Sequence, residues 1–177
     1  NYALVILCGG NSVRMGTDKA LLPFGDCCLL EYLDTNLNHI FPTIYLSVKY
    51  IGDYAHLNLP VTEIADIYGN AGPMSGVFSG LSMINEDAAF FMSVDTLFME
   101  PETGIALLDA IGDADICMVR GKAGYLDPAT AAYSKNLIPT IGKSLILRQF
   151  TFDALREKLQ NSLRDGKMHL PPAQTFR

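Results

Sequence analysis

The sequence predicts an α/β fold with a mostly parallel sheet, and three features predict it. Short β-rich apolar runs recur along the chain, longer stretches at helical spacing separate them, and the runs are apolar almost without a break. Unbroken apolarity is what a strand needs when helices cover both faces of its sheet, whereas a half-exposed strand alternates.

Taken in order, Tyr2–Cys8 reads as the first strand, and a glycine-rich stretch follows it directly. Leu29–Ile40 carries helix-length apolar periodicity, and Thr43–Val48 and Val61–Ala65 read as the next two strands. Met74–Asn85 and Glu102–Ile111 read as helices, with Pro73 and Pro101 in the first turn, where a helix tolerates a missing N–H. Ala88–Val94 and Ala114–Val119 read as further strands. Near the end, Phe152, Leu155, Leu159 and Leu163 recur at three- and four-residue steps, with Thr151 to cap the helix and Gly166 to stop it. No repeat, low-complexity linker or composition break divides the chain, so residues 1–177 read as one domain.

Composition narrows the function classes. Although 49% of the residues are hydrophobic, no run approaches the roughly 18 consecutive apolar residues of a membrane span. The chain enters its first strand without a basic, cleavable leader, so a cytoplasmic location is expected. A formal charge of -6 argues against nonspecific nucleic-acid binding, which needs a surplus of Lys and Arg on one face. Through Gly142 there are 6 basic and 16 acidic residues, and from Lys143 onward 7 basic and 3 acidic. A solvated helix face accounts for that basic tail, with an anionic ligand as the alternative. Cys8, Cys27, Cys28 and Cys117 lack the spacing of a zinc site, His39, His56 and His169 are scattered, and the cysteines read as reduced, small hydrophobic residues.

Three segments carry chemistry. The first is Leu7-Cys-Gly-Gly-Asn-Ser-Val-Arg-Met-Gly-Thr-Asp-Lys19, just past the first strand, where an open α/β sheet binds its ligands. Gly9, Gly10 and Gly16 permit close backbone approach, and exposed N–H groups there can cradle phosphate. Arg14 and Lys19 add two fixed charges able to clamp the β and γ phosphates of a triphosphate. Neither G-x-x-x-x-G-K-[ST] nor G-x-G-x-x-G matches, which disfavours a dinucleotide-binding redox domain. The second segment, Asp66-Ile-Tyr-Gly-Asn-Ala-Gly-Pro-Met-Ser-Gly76, is a turn leading into a helix. The third, Phe90-Phe-Met-Ser-Val-Asp95, is an apolar strand ending on a carboxylate, an arrangement suited to Mg²⁺ with substrate phosphates. No Ser-His-Asp or Cys-His pattern accompanies them.

These segments resemble the motifs of the molybdenum cofactor guanylyltransferases, within the molybdopterin nucleotidyltransferase family. The first is similar to L-x-G-G-x-S-x-R-M-G-x-D-K-x-L-L and continues through Leu21 and Leu22, with Cys8 where Ala is usual. The second resembles D-x(n)-G-P-[LM]-x-G, and the third D-x-P-[FY], with Leu97 in place of Pro. Leu126-Asp-Pro-Ala-Thr-Ala-Ala-Tyr133-Ser resembles Q-P-L-x-A-L-Y-S with Asp127 for Gln, a strand expected to wall the acceptor side; Tyr133 reads equally as core or contact. The family's late N-x-N-T-P motif has no counterpart between Lys135 and Arg177.

The resemblance implies a three-layer, Rossmann-like nucleotide-diphospho-sugar transferase fold. It also implies roles: Leu7, Cys8, Gly9 and Gly10 line the nucleotide, Arg14 and Lys19 hold phosphates, and Asp66 contacts the nucleoside. Gly72, Pro73 and Gly76 shape the pocket, Asp95 binds Mg²⁺, and Ser47 falls where an Asn often sits near the base. The implied reaction moves GMP from Mg-GTP onto the phosphate of molybdopterin, with room for a protein partner, a cofactor-delivery protein or molybdoenzyme. Two alternatives stand beside it. One is a cytidylyltransferase or other transferase acting on a phosphorylated acceptor, against which Gly9-Gly10 favours the guanylyl branch. The other is a noncatalytic nucleotide-binding partner, motivated by the missing late motif.

Overall fold

β1 (Ala3–Leu7) is buried along its whole length, as its unbroken apolarity requires. Ala3, Val5 and Leu7 face one core, while Leu4 and Ile6 face another, the two-residue alternation of a strand with a core on each face. The computed structural model describes residues 2–8, 18–69, 72–97, 99–120, 126–147 and 168–169.

From β1 the chain passes through a hairpin of β2 (Pro23–Phe24) and β3 (Cys27–Cys28) into helix α1 (Leu29–Leu37). β4 (Thr43–Val48), β5 (Thr62–Ala65), α2 (Pro73–Met83), β6 (Ala88–Ser93) and α3 (Pro101–Ala110) follow. The described chain continues with β7 (Ile116–Arg120), β8 (Leu126–Ser134), α4 (Ile138–Ile146) and β9 (Met168–His169).

Among the described residues the sheet has 7 strands in the order β5-β4-β1-β6-β8-β7-β9. β4 and β6 flank β1 in parallel, so that Leu7 lies opposite Ser47 on one side and Ser93 on the other. β8 runs antiparallel to both β6 and β7, and β9 is parallel to β7. After β5 the chain crosses to the far side of β1 to form β6, which makes the β1/β6 boundary the switch point of the sheet.

Helices cover both faces. Met74, Val77 and Leu81 of α2 join Ile141 and Leu145 of α4 in one core, and Leu30, Leu33 and Leu37 of α1 join Leu107 of α3 in the other. This is the three-layer α/β arrangement expected from the sequence. α2 sits unusually close to the sheet: a Cβ at Gly76 would lie 2.9 Å from both Leu7 Cδ2 and Ser47 Oγ, and one at Gly80 would lie 2.7 Å from Phe91 Cε1. No helix among the described residues is long and apolar enough to cross a membrane.

Boundaries differ from expectation by a few residues, as at α1, which ends at Leu37 rather than Ile40. Three strands and one α-helix among the described residues were not expected. The β2–β3 hairpin is too short to carry periodicity, and turns on Gly25 at a φ of 64°. α4 contains Pro139 and Gly142, which mask the Leu137, Ile141, Leu145 repeat that places it on the core. β9 is 2 residues long. The amphipathic helix expected between Thr151 and Gly166 lies outside the described residues.

Candidate nucleotide site

The carboxyl edge of the sheet at the switch point brings together residues from distant parts of the chain. Leu7 and Cys8 end β1 in burial, and the Leu7 carbonyl accepts from Val94 N–H at 3.2 Å while Cys8 N–H donates to the Ser47 carbonyl at 3.0 Å. These bonds extend the β4–β1–β6 pairing past the strand ends and set the floor of the site. Burial pushes the Cys8 thiol up, with Asp18 and Glu63 adding to the effect. It stays a thiol and packs, which agrees with a small-residue role.

Lys19 and Asp95 meet across that floor. Lys19 Nζ donates to Asp95 Oδ2 at 2.6 Å, and both side chains are about half exposed. Ser93 Oγ donates to the other carboxylate oxygen, Oδ1, at 2.5 Å. The Lys19 hydrogen bond, followed by that from Ser93, holds the Asp95 carboxyl below the usual carboxylate range. Asp95 is therefore an ionised, oriented oxygen donor at the open edge of the sheet, able to hold a hard cation.

Lys19 begins a single 3-10 turn, Lys19–Leu21, whose cap is Asp18. Asp18 Oδ1 accepts from Ala20 N–H at 3.0 Å, and Ala20 is fully buried under the turn. The other oxygen, Oδ2, accepts from Tyr54 Oη at 2.8 Å.

Asp66 follows β5, where its N–H donates to the Val48 carbonyl at 2.8 Å. Its Oδ1 is heavily used: Tyr68 N–H donates at 3.1 Å, Ser79 Oγ lies at 3.4 Å, and Ser75 Oγ donates as well. The carboxylate ties the β5–α2 turn to the first two turns of α2. Gly72, at a φ of 69°, caps that helix and Pro73 occupies its first turn, as its sequence position predicted. Gly76 is required by the contact with Leu7 and Ser47 rather than by an opening beside it.

Of the residues expected at the site, Leu7, Cys8, Lys19 and Asp95 lie together at the switch point, while Asp66 and Gly76 sit at the neighbouring β5–α2 junction. Gly9, Gly10 and Arg14 lie outside the described residues. Tyr133 belongs to the core: it is fully buried, donates to the Pro128 carbonyl at 2.5 Å and meets Phe91 edge-on at 5.5 Å. Asp127 spends both oxygens within β8, accepting from Ala129 N–H at 3.0 Å and Thr130 Oγ1 at 2.9 Å. Sequence reasoning missed Ser93 and Tyr54. Ser93 was recoverable, because it stands two positions before Asp95 at the end of β6, close enough along the chain for its hydroxyl to reach that carboxylate. Tyr54 gives no local signal, since its partner is 36 residues away.

A sheet covered on both faces by helices, with a cation–carboxylate pair at its switch point, is of the open α/β class that binds its ligands there. Residues 4–161 match the MobA-like NTP transferase domain, and the chain belongs to that family of nucleotidyltransferases. It is 34% identical over 149 residues to a "probable molybdenum cofactor guanylyltransferase" of Carboxydothermus hydrogenoformans, covering 84% of this chain and 74% of that protein. A protein of the same name from Methanothermobacter thermautotrophicus is 28% identical over 183 aligned positions, covering 99% of this chain and 92% of its own length. In fold, the chain is similar to the crystal structure of molybdopterin-guanine dinucleotide biosynthesis protein A from Archaeoglobus fulgidus. That likeness has a TM-score of 0.74 at 16% identity and covers 88% of this chain and 79% of the other.

Proposed function

We propose that this chain transfers GMP from GTP to the terminal phosphate of molybdopterin, releasing pyrophosphate, and that it does so with Mg²⁺. The names of the relatives support the substrates. The observation that carries the reading is the Lys19–Asp95 pair, 2.6 Å apart across the β1/β6 switch point.

The acceptor is a phosphate monoester, already anionic near neutrality, so transfer needs positioning and charge neutralisation more than a general base. Its oxygen attacks the α-phosphorus of GTP in line; the new P–O bond forms as the bond to the bridging oxygen breaks, and that electron pair leaves on pyrophosphate. Lys19 exchanges part of its contact with Asp95 for the β and γ phosphates and neutralises the departing charge. Arg14 has the second half of that role. The end of β1, Leu7 and Cys8 with Gly9 and Gly10 after them, supplies the edge along which the nucleotide lies. Asp66 addresses the nucleoside from the β5–α2 turn.

Asp95 fits Mg²⁺. The ion takes oxygen ligands, usually one or two carboxylates completed by substrate phosphates, and does not need an all-protein cage. Among the described residues there is no group of three or more His, Cys, Asp or Glu that would instead suggest such a cage. When bound, Mg²⁺ supplies Lewis-acid neutralisation of phosphate oxygens. The same reading puts the work in the cytoplasm, with the product handed to a cofactor-delivery protein or molybdoenzyme.

Thermal unfolding with Mg²⁺ and GTP, CTP, ATP or UTP tests the reading, for the native chain and Lys19→Ala. A ligand at 100 times its Kd adds about 2.7 kcal/mol, a rise of several degrees. A GTP-selective rise lost in Lys19→Ala is expected, and pyrophosphate release on adding molybdopterin completes the case. A CTP-selective rise would move the assignment to the cytidylyl alternative, and no rise with any nucleotide would overturn it.

A further inference from the structure

Lys19 is exposed, yet the turn that carries it is anchored from inside the protein. Tyr54, on the loop after β4, is 6% exposed and belongs to the same core as Ala20, Leu46 and Val48. Its hydroxyl donates to Asp18 Oδ2 at 2.8 Å while Asp18 Oδ1 caps the Lys19–Leu21 turn. Tyr54 is itself fixed from the far side. Its N–H donates to Glu63 Oε1 at 2.9 Å, and Gly52 N–H donates to Glu63 Oε2. Within the same loop Tyr50 N–H donates to Asp53 Oδ2 at 3.0 Å. A continuous chain of bonds therefore runs from Glu63 on β5 through Tyr54 and Asp18 to the backbone beneath Lys19, ending on Asp95.

We propose that Tyr54 is a positioning residue of the nucleotide site, its hydroxyl acting through Asp18 to hold the turn that presents Lys19 to Asp95 and to substrate phosphate. The substrate half of this statement rests on the reading given above; the Lys19–Asp95 half does not. Three arguments support it. An N-cap aspartate left to itself samples other rotamers and competing turns, and a buried donor on its second oxygen removes that freedom. Burial, with help from Cys8 and Asp18, pushes the Tyr54 phenol upward, so it remains a donor across the working pH range. A lysine side chain has several rotatable bonds, so fixing the backbone from which it springs limits where its ammonium can reach.

Tyr54→Phe keeps the ring and its packing and deletes only the hydroxyl. In the ligand-free protein, NMR relaxation of the Lys19 ammonium nitrogen reads how firmly it is held. The expected result is a loss of order in Tyr54→Phe approaching that in Asp95→Asn; unchanged order in a folded variant would overturn the proposal. Calorimetry with Mg-GTP gives the second readout as a double-mutant cycle. Tyr54→Phe is expected to weaken binding about tenfold in the native background and by less than about twofold on top of Lys19→Ala. Equal losses in both backgrounds would show that Tyr54 acts on something other than Lys19. If the native chain binds no nucleotide, the functional reading fails, and the relaxation measurement still decides the role of Tyr54.

Discussion

At the scale of single residues, Asp95 answers to two donors, Lys19 on one oxygen and Ser93 on the other. The proposed chemistry needs its charge, which Asn lacks. Asp95→Asn should lower pyrophosphate release by about a hundredfold or more, and near-normal turnover would remove Asp95 from the mechanism. The same pair predicts a pH effect. Because the native Asp95 value lies below the ordinary 3.8, its contribution to stability is complete above that value and is lost as pH falls through the lowered one. The difference in unfolding free energy between the native chain and Lys19→Ala, followed by urea titration, should therefore shrink in acid. Asp34 behaves in the opposite sense. It is 6% exposed on α1, Oδ2 accepts from Asn38 Nδ2 at 3.3 Å while Oδ1 has no hydrogen-bond partner among the described residues, and burial, outweighing the Asn38 bond, raises its carboxyl. Its native form holds a proton more tightly than the unfolded chain, so its effect on stability becomes unfavourable as pH rises past the ordinary value. Asp34→Asn should add about 1 kcal/mol at pH 7, measured by urea unfolding, and the gain should vanish below the ordinary carboxyl range.

At the scale of elements, α2 shows how a helix is placed by what it lacks. Gly76 and Gly80 remove the two Cβ atoms that would strike Leu7, Ser47 and Phe91, and the helix settles onto the ends of β1 and β4. Gly76→Ala gains helix propensity of about 1 kcal/mol but must displace Leu7 and Ser47, and overpacking of this kind costs about 1–3 kcal/mol. The net expectation is destabilisation in urea, with α2 lifted from the strand that floors the site. The start of α2 was legible because Pro73 marks it; the reason for its glycines was not, since the atoms they avoid belong to other strands. α4 was illegible for the converse reason. Pro139 and Gly142 look like breakers in isolation, yet Pro139 falls in the first turn and Gly142 faces Phe78, with a contact of 3.2 Å for an added Cβ.

At the scale of the molecule, the apolar runs revealed an α/β sheet because burial on both faces leaves its mark on each strand separately. The order of those strands leaves no such mark. Antiparallel β8, inserted between β6 and β7, follows from packing across the whole sheet and not from its own sequence. The site divides in the same way: Lys19 and Asp95 each stood out locally, while their meeting, and the Tyr54–Asp18 bond behind it, depend on the assembled fold. Lys19 and Asp95 are 76 residues apart. At a synthesis rate of about 5–20 residues per second, Lys19 leaves the ribosome roughly 4–15 s before its partner. During that interval β1 has no β6 to pair with, and a nascent chain holds only half of the Lys19–Asp95 pair. Formation of the pair is thereby reserved for chains whose central strands have come together.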